Sequence, residues 1–135
     1  MRIAVISAPA RRGGIPDYVT ALARGMESMG HRVDVVNAWT DDGMRLPGYE
    51  YLAVAAESTT LFSGNMSEAL AKILSGAGSL VGRKAAAFLR KTSPFTGKAL
   101  ARLMKALEKE GMVVNWSDII LSAAHAEALG KRIGA

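Results

Sequence analysis

The sequence predicts an α/β fold in which a doubly wound, five-stranded parallel sheet carries helices on both faces. Apolar segments typical of buried strands alternate with segments of helical periodicity from one end of the chain to the other, without repeats or a linker. Half of the 135 residues are hydrophobic, which is enough apolar material for one core. We therefore expect one domain over residues 1–135.

The first half of the chain contains three predicted strands. They are RIAVIS at 2–7, HRVDVV at 31–36 and YEYLAVAA at 49–56. A helix begins at Pro16, whose fixed φ suits a first turn, and Gly30 ends it. Residues 37–48 are rich in Asp, Gly and Pro, and this composition predicts a loop.

The second half continues the alternation. Asn65, followed three residues later by Glu68, predicts a helix start of the capping-box type. KAAAFLR at 84–90 is the fourth strand by its position, although alanine has low strand propensity. A helix then ends at Gly111, and an alanine-rich helix closes the chain. Between these two helices, the fifth strand is either MVVNW at 112–116 or DIILS at 118–122.

Composition excludes several kinds of site. Because there is no cysteine, the chain has no disulfide, thiolate metal site or cysteine nucleophile. The spacing of the two histidines suggests neither a metal site nor a proton relay, so we expect them to be surface or packing residues. No apolar run reaches the roughly 18 residues of a membrane span, and the N-terminal apolar stretch is shorter than a signal-peptide core. We expect a cytoplasmic protein without a membrane segment.

Positive charge is concentrated in one part of the chain. The formal net charge is +5, and nine cations stand between Glu68 and Glu110 against three glutamates. These cations are Lys72, Arg83, Lys84, Arg90, Lys91, Lys98, Arg102, Lys105 and Lys109. A basic region of this kind is typical of proteins with anionic partners, but it is also what a solvated helix face looks like.

Three loops share the edge of the sheet where ligands bind in such folds. Residues 7–15, 57–65 and 91–97 all follow the carboxyl ends of parallel strands. Glu57 stands at the start of the second loop, where it either faces a ligand or is a solvated loop carboxylate. The first loop belongs to the stretch SAPARRGGIPDY, which combines two arginines and two glycines at a strand-to-helix turn.

Two long segments resemble the flavodoxin family. In YEYLAVAAESTTLFSGNMSEALAKIL, a strand ends in a Thr-containing loop, followed by Gly and a helix. LVGRKAAAFLRKTSPFTGKALARLMKALEKEGMVV continues the likeness with a Gly-Arg-Lys approach to a strand and a helix ending in Gly. The order of elements is similar over nearly the whole length. The resemblance implies a flavodoxin-like fold and a bound flavin mononucleotide (FMN).

The first loop departs from the family's motif. The family holds the FMN phosphate with backbone N–H groups and several hydroxyls, arranged roughly as Ser/Thr-x-Thr-Gly-x-Thr. Ser7 matches the first hydroxyl, whereas Pro9 and Arg12 stand where the next two are expected. The resemblance therefore implies an altered phosphate loop.

The charge and backbone of this loop offer a substitute for the missing hydroxyls. Gly13 and Gly14 allow close backbone approach, Ile15 can contribute an N–H, and Arg11 or Arg12 can bind phosphate through the guanidinium fork. The alternative is that the two arginines are solvent-exposed residues of a turn and bind no anion. Both interpretations remain open at this point.

The other two loops match the family more closely. The resemblance implies that they flank the flavin ring, with an aromatic side chain against it. The implied ring and edge contacts are Ser58, Thr59, Thr60, Phe62, Gly64 and Asn65 in the second loop, and Thr92, Ser93, Phe95 and Gly97 in the third.

Three functional hypotheses follow. The first is an FMN protein that transfers electrons, or reduces a small acceptor with NAD(P)H, and so would be an FMN-dependent oxidoreductase if it is an enzyme. Its partner would be a redox protein or NAD(P)H. The family's electron carriers are acidic, so the basic charge favours its reductases, which often form homo-oligomers.

The second hypothesis is a flavodoxin-like domain that has lost flavin binding and acts as an interaction or regulatory module, as the altered loop would allow. The third is nucleic-acid binding by the basic region, and it is the least supported. Only Phe88 and Phe95 are interleaved with the cations, and no nucleic-acid-binding motif is present.

Overall fold

The computed structural model describes residues 1–57, 68–91 and 96–133, and it contains one sheet of five parallel strands in the order β2-β1-β3-β4-β5. The predicted sheet is confirmed. The strands are β1 (Arg2–Ala8), β2 (Arg32–Asn37), β3 (Tyr51–Ala56), β4 (Lys84–Arg90) and β5 (Val113–Ile120).

Helices cover both faces of the sheet, as predicted. They are α1 (Asp17–Glu27), α2 (Glu68–Ser75), α3 (Thr96–Lys109) and α4 (Ala123–Gly130). Helices α1 and α4 pack on one face, and α2 and α3 pack on the other. The β2–β3 connection contains only a short 3-10 turn, Leu46–Gly48. Within the described residues, no helix has both the length and the apolar character needed to cross a membrane.

The three inner strands are buried on both faces, which explains why their sequences are continuously apolar. In β4, Ala85, Ala86 and Ala87 are completely buried. Alanine has a low intrinsic strand propensity, but burial of these residues between two helical layers outweighs it. Small side chains at the centre of the sheet leave room for larger ones nearby. Phe88, for example, meets Trp116 edge to face with ring centroids 5.3 Å apart.

Strand β5 joins the two segments that the sequence offered as alternatives. Ala85 pairs with Val114 and Ala86 pairs with Trp116, so Asn115 is one extra residue in the ladder, a β-bulge. The bulge is held from the central strand, because the Tyr51 hydroxyl donates a 2.6 Å hydrogen bond to Asn115 Oδ1. Burial raises the pKa of Tyr51 from 10.0 to about 12.

Helices α1 and α4 touch backbone to backbone through two glycines. A Cβ placed on Gly25 would lie 3.1 Å from Gly130 Cα and less than 3.0 Å from the Glu127 carbonyl oxygen. A Cβ on Gly130 would likewise lie less than 3.0 Å from the Leu22 carbonyl oxygen. Both positions therefore need glycine because of the closeness of the two helices.

Two further glycines end helices as predicted. Gly30 follows α1 with φ of 89°, and Gly111 follows α3 with φ of 87°. Only glycine adopts this left-handed conformation without strain, so each residue reverses the chain towards the next strand.

Candidate functional site

The strand order creates a crevice at the carboxyl edge of the sheet. In the sheet, β2 lies on one side of β1 and β3 lies on the other. The segments that follow β1 and β3 therefore lead away from each other and leave a gap between the carboxyl ends of these two neighbouring strands. Open α/β sheets, flavodoxins among them, bind ligands at this switch point. The described part of the crevice consists of the end of β1, the loop 9–16 and Glu57.

A buried hydroxyl without a partner lies at the end of β1. Ser7 is completely buried, and its Oγ is the one buried polar side-chain atom in the described part of the chain that has no hydrogen bond. Leaving such a group unpaired costs about 1–3 kcal/mol, so unpaired buried groups are rare and call for an explanation. A ligand oxygen in the crevice would supply the missing partner.

The loop 9–16 is held by side chains of two residues near the end of β2, and a run of its backbone N–H groups is open. The Trp39 indole N–H donates to the Pro9 carbonyl at 2.9 Å, and the Asn37 side-chain amide donates to the Gly13 carbonyl at 3.1 Å. In contrast, the backbone N–H groups of residues 11–15 have no acceptor among the described residues. Open N–H groups that precede a helix N-terminus can donate hydrogen bonds to an anion.

Sequence reasoning missed the roles of Asn37, the last residue of β2 and the partner of Ser7 in the sheet, and of Trp39, two residues further on. Their signal was positional, since the carboxyl end of β2 lies beside that of β1. Polar side chains at that point can reach the loop that follows β1.

Five of the six residues predicted for the phosphate belong to this loop, and the sixth, Ser7, lies in β1 just before it. Arg11, Arg12, Gly13, Gly14 and Ile15 are all exposed. Neither arginine has an ion-pair partner in the residues that the structure describes, so both guanidinium groups are available to an anion. A Cβ on either glycine would meet no described atom within 4 Å. Crowding within the described structure therefore does not explain the two glycines, and their role in close approach stays a prediction.

Helix α1 begins at the far side of the same loop. Pro16 is its N-cap, with φ of −63° and ψ of 154°, and no side chain caps the helix. The Pro16 carbonyl accepts hydrogen bonds from the N–H groups of Val19 and Thr20. Because the first-turn N–H groups of an uncapped helix are unsatisfied, this end carries a partial positive charge directed at the loop.

Glu57 is not a freely solvated loop carboxylate, because both of its oxygens accept hydrogen bonds from the protein. It is half-buried, and its Oε1 accepts a 3.2 Å hydrogen bond from the Ala10 N–H of the first loop. Its Oε2 accepts a 2.9 Å bond from the Tyr18 hydroxyl of α1. Burial, and then the neighbouring Glu57 carboxylate, raise the pKa of Tyr18 well above its usual value. The carboxylate thus connects the end of β3 to the loop and to the helix.

Most residues predicted for the flavin ring cannot be placed. Nine of them lie outside the described residues: Ser58, Thr59, Thr60, Phe62, Gly64, Asn65, Thr92, Ser93 and Phe95. Gly97 is the second residue of α3 and is exposed. With Lys91, Asp118 and His125 it lines a cavity of about 450 Å³ at the carboxyl ends of β4 and β5.

Both histidines make hydrogen bonds to the protein backbone. His125 Nδ1 accepts from the Leu121 N–H at 3.1 Å, and His31 contacts the Ile133 carbonyl at 2.9 Å and the Met1 amino group at 3.1 Å. These contacts agree with the expected surface and packing roles.

Four of the nine cations of the basic region form a stripe along α3. Lys98, Arg102, Lys105 and Lys109 are exposed and follow one another at helical spacing. At a rise of 1.5 Å per residue the stripe is about 16 Å long, and it starts beside Gly97 at the carboxyl edge of the sheet. Arg90 belongs to a different environment, because its guanidinium donates to the Leu121 carbonyl at 2.8 Å and lies 5.9 Å from the centre of the Tyr18 ring.

Neither a protein-family model nor a curated protein matches the sequence. Solved structures do match over nearly the full length. A flavodoxin from the domain Archaea superimposes with a TM-score of 0.74 at 20% identity, covering 98% of this chain and 96% of its own. The oxidised flavodoxin 1 of Bacillus cereus gives 0.67 at 15% identity, covering 96% and 95%.

The two-electron reduced flavodoxin of Megasphaera elsdenii gives a TM-score of 0.74 at 12% identity, with 96% of each chain covered. These identities are low, so the likeness concerns architecture and not the residues of the site. The strand order, the helices on both faces and the superpositions agree, and together they show that the chain has the flavodoxin-like fold.

Proposed function

We propose that this chain binds FMN at the carboxyl ends of β1 and β3 and is a redox protein, either an electron carrier or an NAD(P)H-dependent reductase of a small acceptor. The observation that carries the proposal is the buried, unpartnered Ser7 hydroxyl, adjacent in the chain to a loop whose N–H groups are open. Two flavodoxins of the same fold have been solved in oxidised and in two-electron reduced form, which supports redox function for this one.

The described residues fit a phosphate group. The Ser7 hydroxyl can donate one hydrogen bond, the N–H groups of residues 11–15 can donate several more, and the uncapped start of α1 favours negative charge. Arg11 and Arg12 are free of ion pairs within the described structure and can add charge-assisted bonds. These groups replace the hydroxyls that Pro9 and Arg12 displace from the family's motif.

The proposed ring contacts come from the resemblance. Thr59, Thr60, Phe62 and Phe95 would line the flavin. FMN supplies the redox chemistry when it is bound, so this chain's residues need only bind it, orient it and shield it from water. This division of labour is compatible with a sequence that has no recognisable catalytic triad.

The charge of α3 suggests the kind of protein partner. If electrons pass to another protein, the stripe of Lys98, Arg102, Lys105 and Lys109 favours an acidic one. The rate of exchange with such a partner should then fall as salt is added. The cytoplasmic location stays a prediction of the sequence.

One observation favours the alternative, a flavodoxin-like domain without flavin. Pro9 and Arg12 remove two expected hydroxyls, and Pro16 lacks an N–H at the position where the helix begins. Fewer donors would then face the phosphate than in the family.

An FMN titration of the purified protein, followed by flavin fluorescence and run beside riboflavin, tests the proposal. Tight, FMN-selective quenching is expected, because only FMN carries the phosphate. Equal binding of both flavins would assign the affinity to the ring pocket and leave Arg11 and Arg12 without a role. No binding at micromolar concentrations would favour the interaction module.

A further inference from the structure

We infer that Glu57, together with Tyr18, is a positioning residue that holds the first loop in the conformation in which its N–H groups can take a phosphate. The inference rests on the proposed function, because it concerns the same loop, but it adds residues that the flavodoxin likeness does not supply. Glu57 would not touch the cofactor. It would determine how strongly the protein prefers FMN to riboflavin.

The geometry gives Glu57 two separate attachments. Oε1 accepts from the Ala10 N–H at 3.2 Å, and Oε2 accepts from the Tyr18 hydroxyl at 2.9 Å. The Glu57 backbone N–H also donates to the Ala8 carbonyl at 3.1 Å. One residue at the end of β3 therefore fixes the end of β1, the first loop and the first turn of α1 relative to one another.

The position of Ala10 explains why this attachment matters. Ala10 stands between Pro9, whose carbonyl is held by Trp39, and the open N–H groups that begin at Arg11. Since Glu57 takes the Ala10 N–H and Asn37 takes the Gly13 carbonyl, the intervening residues are held at both ends. A loop fixed in this way loses less conformational freedom when an anion binds.

The chain contains a matched control at the other end of β3. Glu50 precedes β3 as Glu57 follows it, and its Oε1 accepts a 3.2 Å hydrogen bond from the Arg2 N–H at the start of β1. Its backbone N–H donates to the Arg2 carbonyl at 2.9 Å. The two glutamates make the same kind of bond to β1 and its loop, but Glu50 does so at the amino edge, away from the crevice.

The experiment measures dissociation constants for FMN and riboflavin in four proteins: wild type, Glu57→Ala, Glu57→Gln and Glu50→Ala. The preference for FMN is the dissociation constant of riboflavin divided by that of FMN. We expect Glu57→Ala to lower this ratio about tenfold by weakening FMN binding, which is the loss typical of one hydrogen bond. Glu57→Gln should stay within about twofold of wild type, because its amide oxygen accepts from Ala10 and its NH2 group donates to the Tyr18 hydroxyl. Glu50→Ala should leave the ratio unchanged.

Three results would overturn the inference. An unchanged ratio in Glu57→Ala would show that the loop needs no such support. Equal losses in Glu57→Ala and Glu57→Gln would show that the charge acts, and not the hydrogen bonds. A parallel loss of both flavins would show a general structural role. If Glu57→Ala does not fold, Tyr18→Phe removes only the hydroxyl bond, and it should lower the same ratio by a smaller factor.

Failure of the proposed function is distinguishable from failure of this inference. If the wild-type protein binds neither flavin, amide hydrogen exchange of the flavin-free protein still tests the attachment. Glu57→Ala should then accelerate exchange at Ala10, the loop amide that donates to Glu57, and Glu50→Ala should not. Identical exchange at Ala10 in both variants would refute the inference whatever the flavin results.

Discussion

The contact between α1 and α4 provides the clearest test of the packing. We predict that Gly25→Ala destabilises the protein, because the added methyl group would lie less than 3.0 Å from the Glu127 carbonyl oxygen, a backbone atom that cannot rotate away. To accept it, the two helices must separate by roughly 1 Å, and overpacking of this kind costs about 1–3 kcal/mol, occasionally more.

Helix propensity works in the opposite direction. Alanine is favoured over glycine in a helix interior by about 1 kcal/mol, so a penalty at the upper end of the overpacking range leaves a net loss of about 2 kcal/mol. For a chain of this length such a loss lowers the melting temperature by roughly 8 °C. The sign of the change is therefore opposite to the one that propensity alone predicts.

Urea and thermal unfolding followed by far-ultraviolet circular dichroism measure the effect. Gly97→Ala is the control, because it also lies in a helix but a Cβ there meets no described atom within 4 Å, so it should be neutral or slightly stabilising. Gly25→Ala combined with Gly130→Ala should lose less than the sum of the single variants, because one helix displacement relieves both clashes. A Gly25→Ala protein as stable as wild type would refute the close backbone contact.

Three other predictions concern the crevice and the pH dependence. Ser7→Ala should leave the flavin-free protein as stable as wild type or up to about 1 kcal/mol more stable in urea, because it removes an unpaired buried hydroxyl, yet weaken FMN more than riboflavin; clear destabilisation would mean that the hydroxyl has a partner. Replacing Arg11 and Arg12 together with alanine should weaken FMN about tenfold in the fluorescence titration and leave riboflavin unchanged, and unaltered FMN affinity would remove both from the site. The fold favours the neutral phenol of Tyr51, because burial raises its pKa from 10.0 to about 12. The contribution of Tyr51 to stability is therefore complete below pH 10 and is lost as the pH rises through 12. Urea unfolding should show this loss in wild type, and a Tyr51→Phe protein with the same pH dependence would contradict the prediction.

Much of the fold could be predicted because periodicity and breaker residues identify elements one at a time. The β4 segment illustrates this, since its position between two helical patterns was a better guide than its alanines. The two short candidates for the fifth strand were harder to interpret, because a bulge at Asn115 breaks the period-2 pattern within one continuous strand. The contact of Gly25 with Gly130 was not predictable, because nothing local in α1 indicates which residue of α4 will face it.

Some residues of the candidate site could likewise be predicted from the sequence, and others could not. Ser7 and the open first loop could be named because they follow directly after a recognisable strand. The hydrogen bonds of Glu57 could not be foreseen, since Tyr18 is 39 residues away and Ala10 is 47 residues away in sequence. Only the pairing of β1 with β3 brings these residues together. The second and third loops contribute predictions alone, because nearly all of their named residues lie outside the described part.

The bulge in β5 also affects how molecules of this protein can meet. A parallel sheet that is not closed presents two bordering strands, and each is a potential template for intermolecular pairing and aggregation. On β5, Asn115 breaks the regular hydrogen-bonding repeat that an incoming strand would need. On β2, the other border, Arg32 and Asp34 place charge along the strand. Strand-to-strand polymerisation is therefore disfavoured at both borders of the sheet.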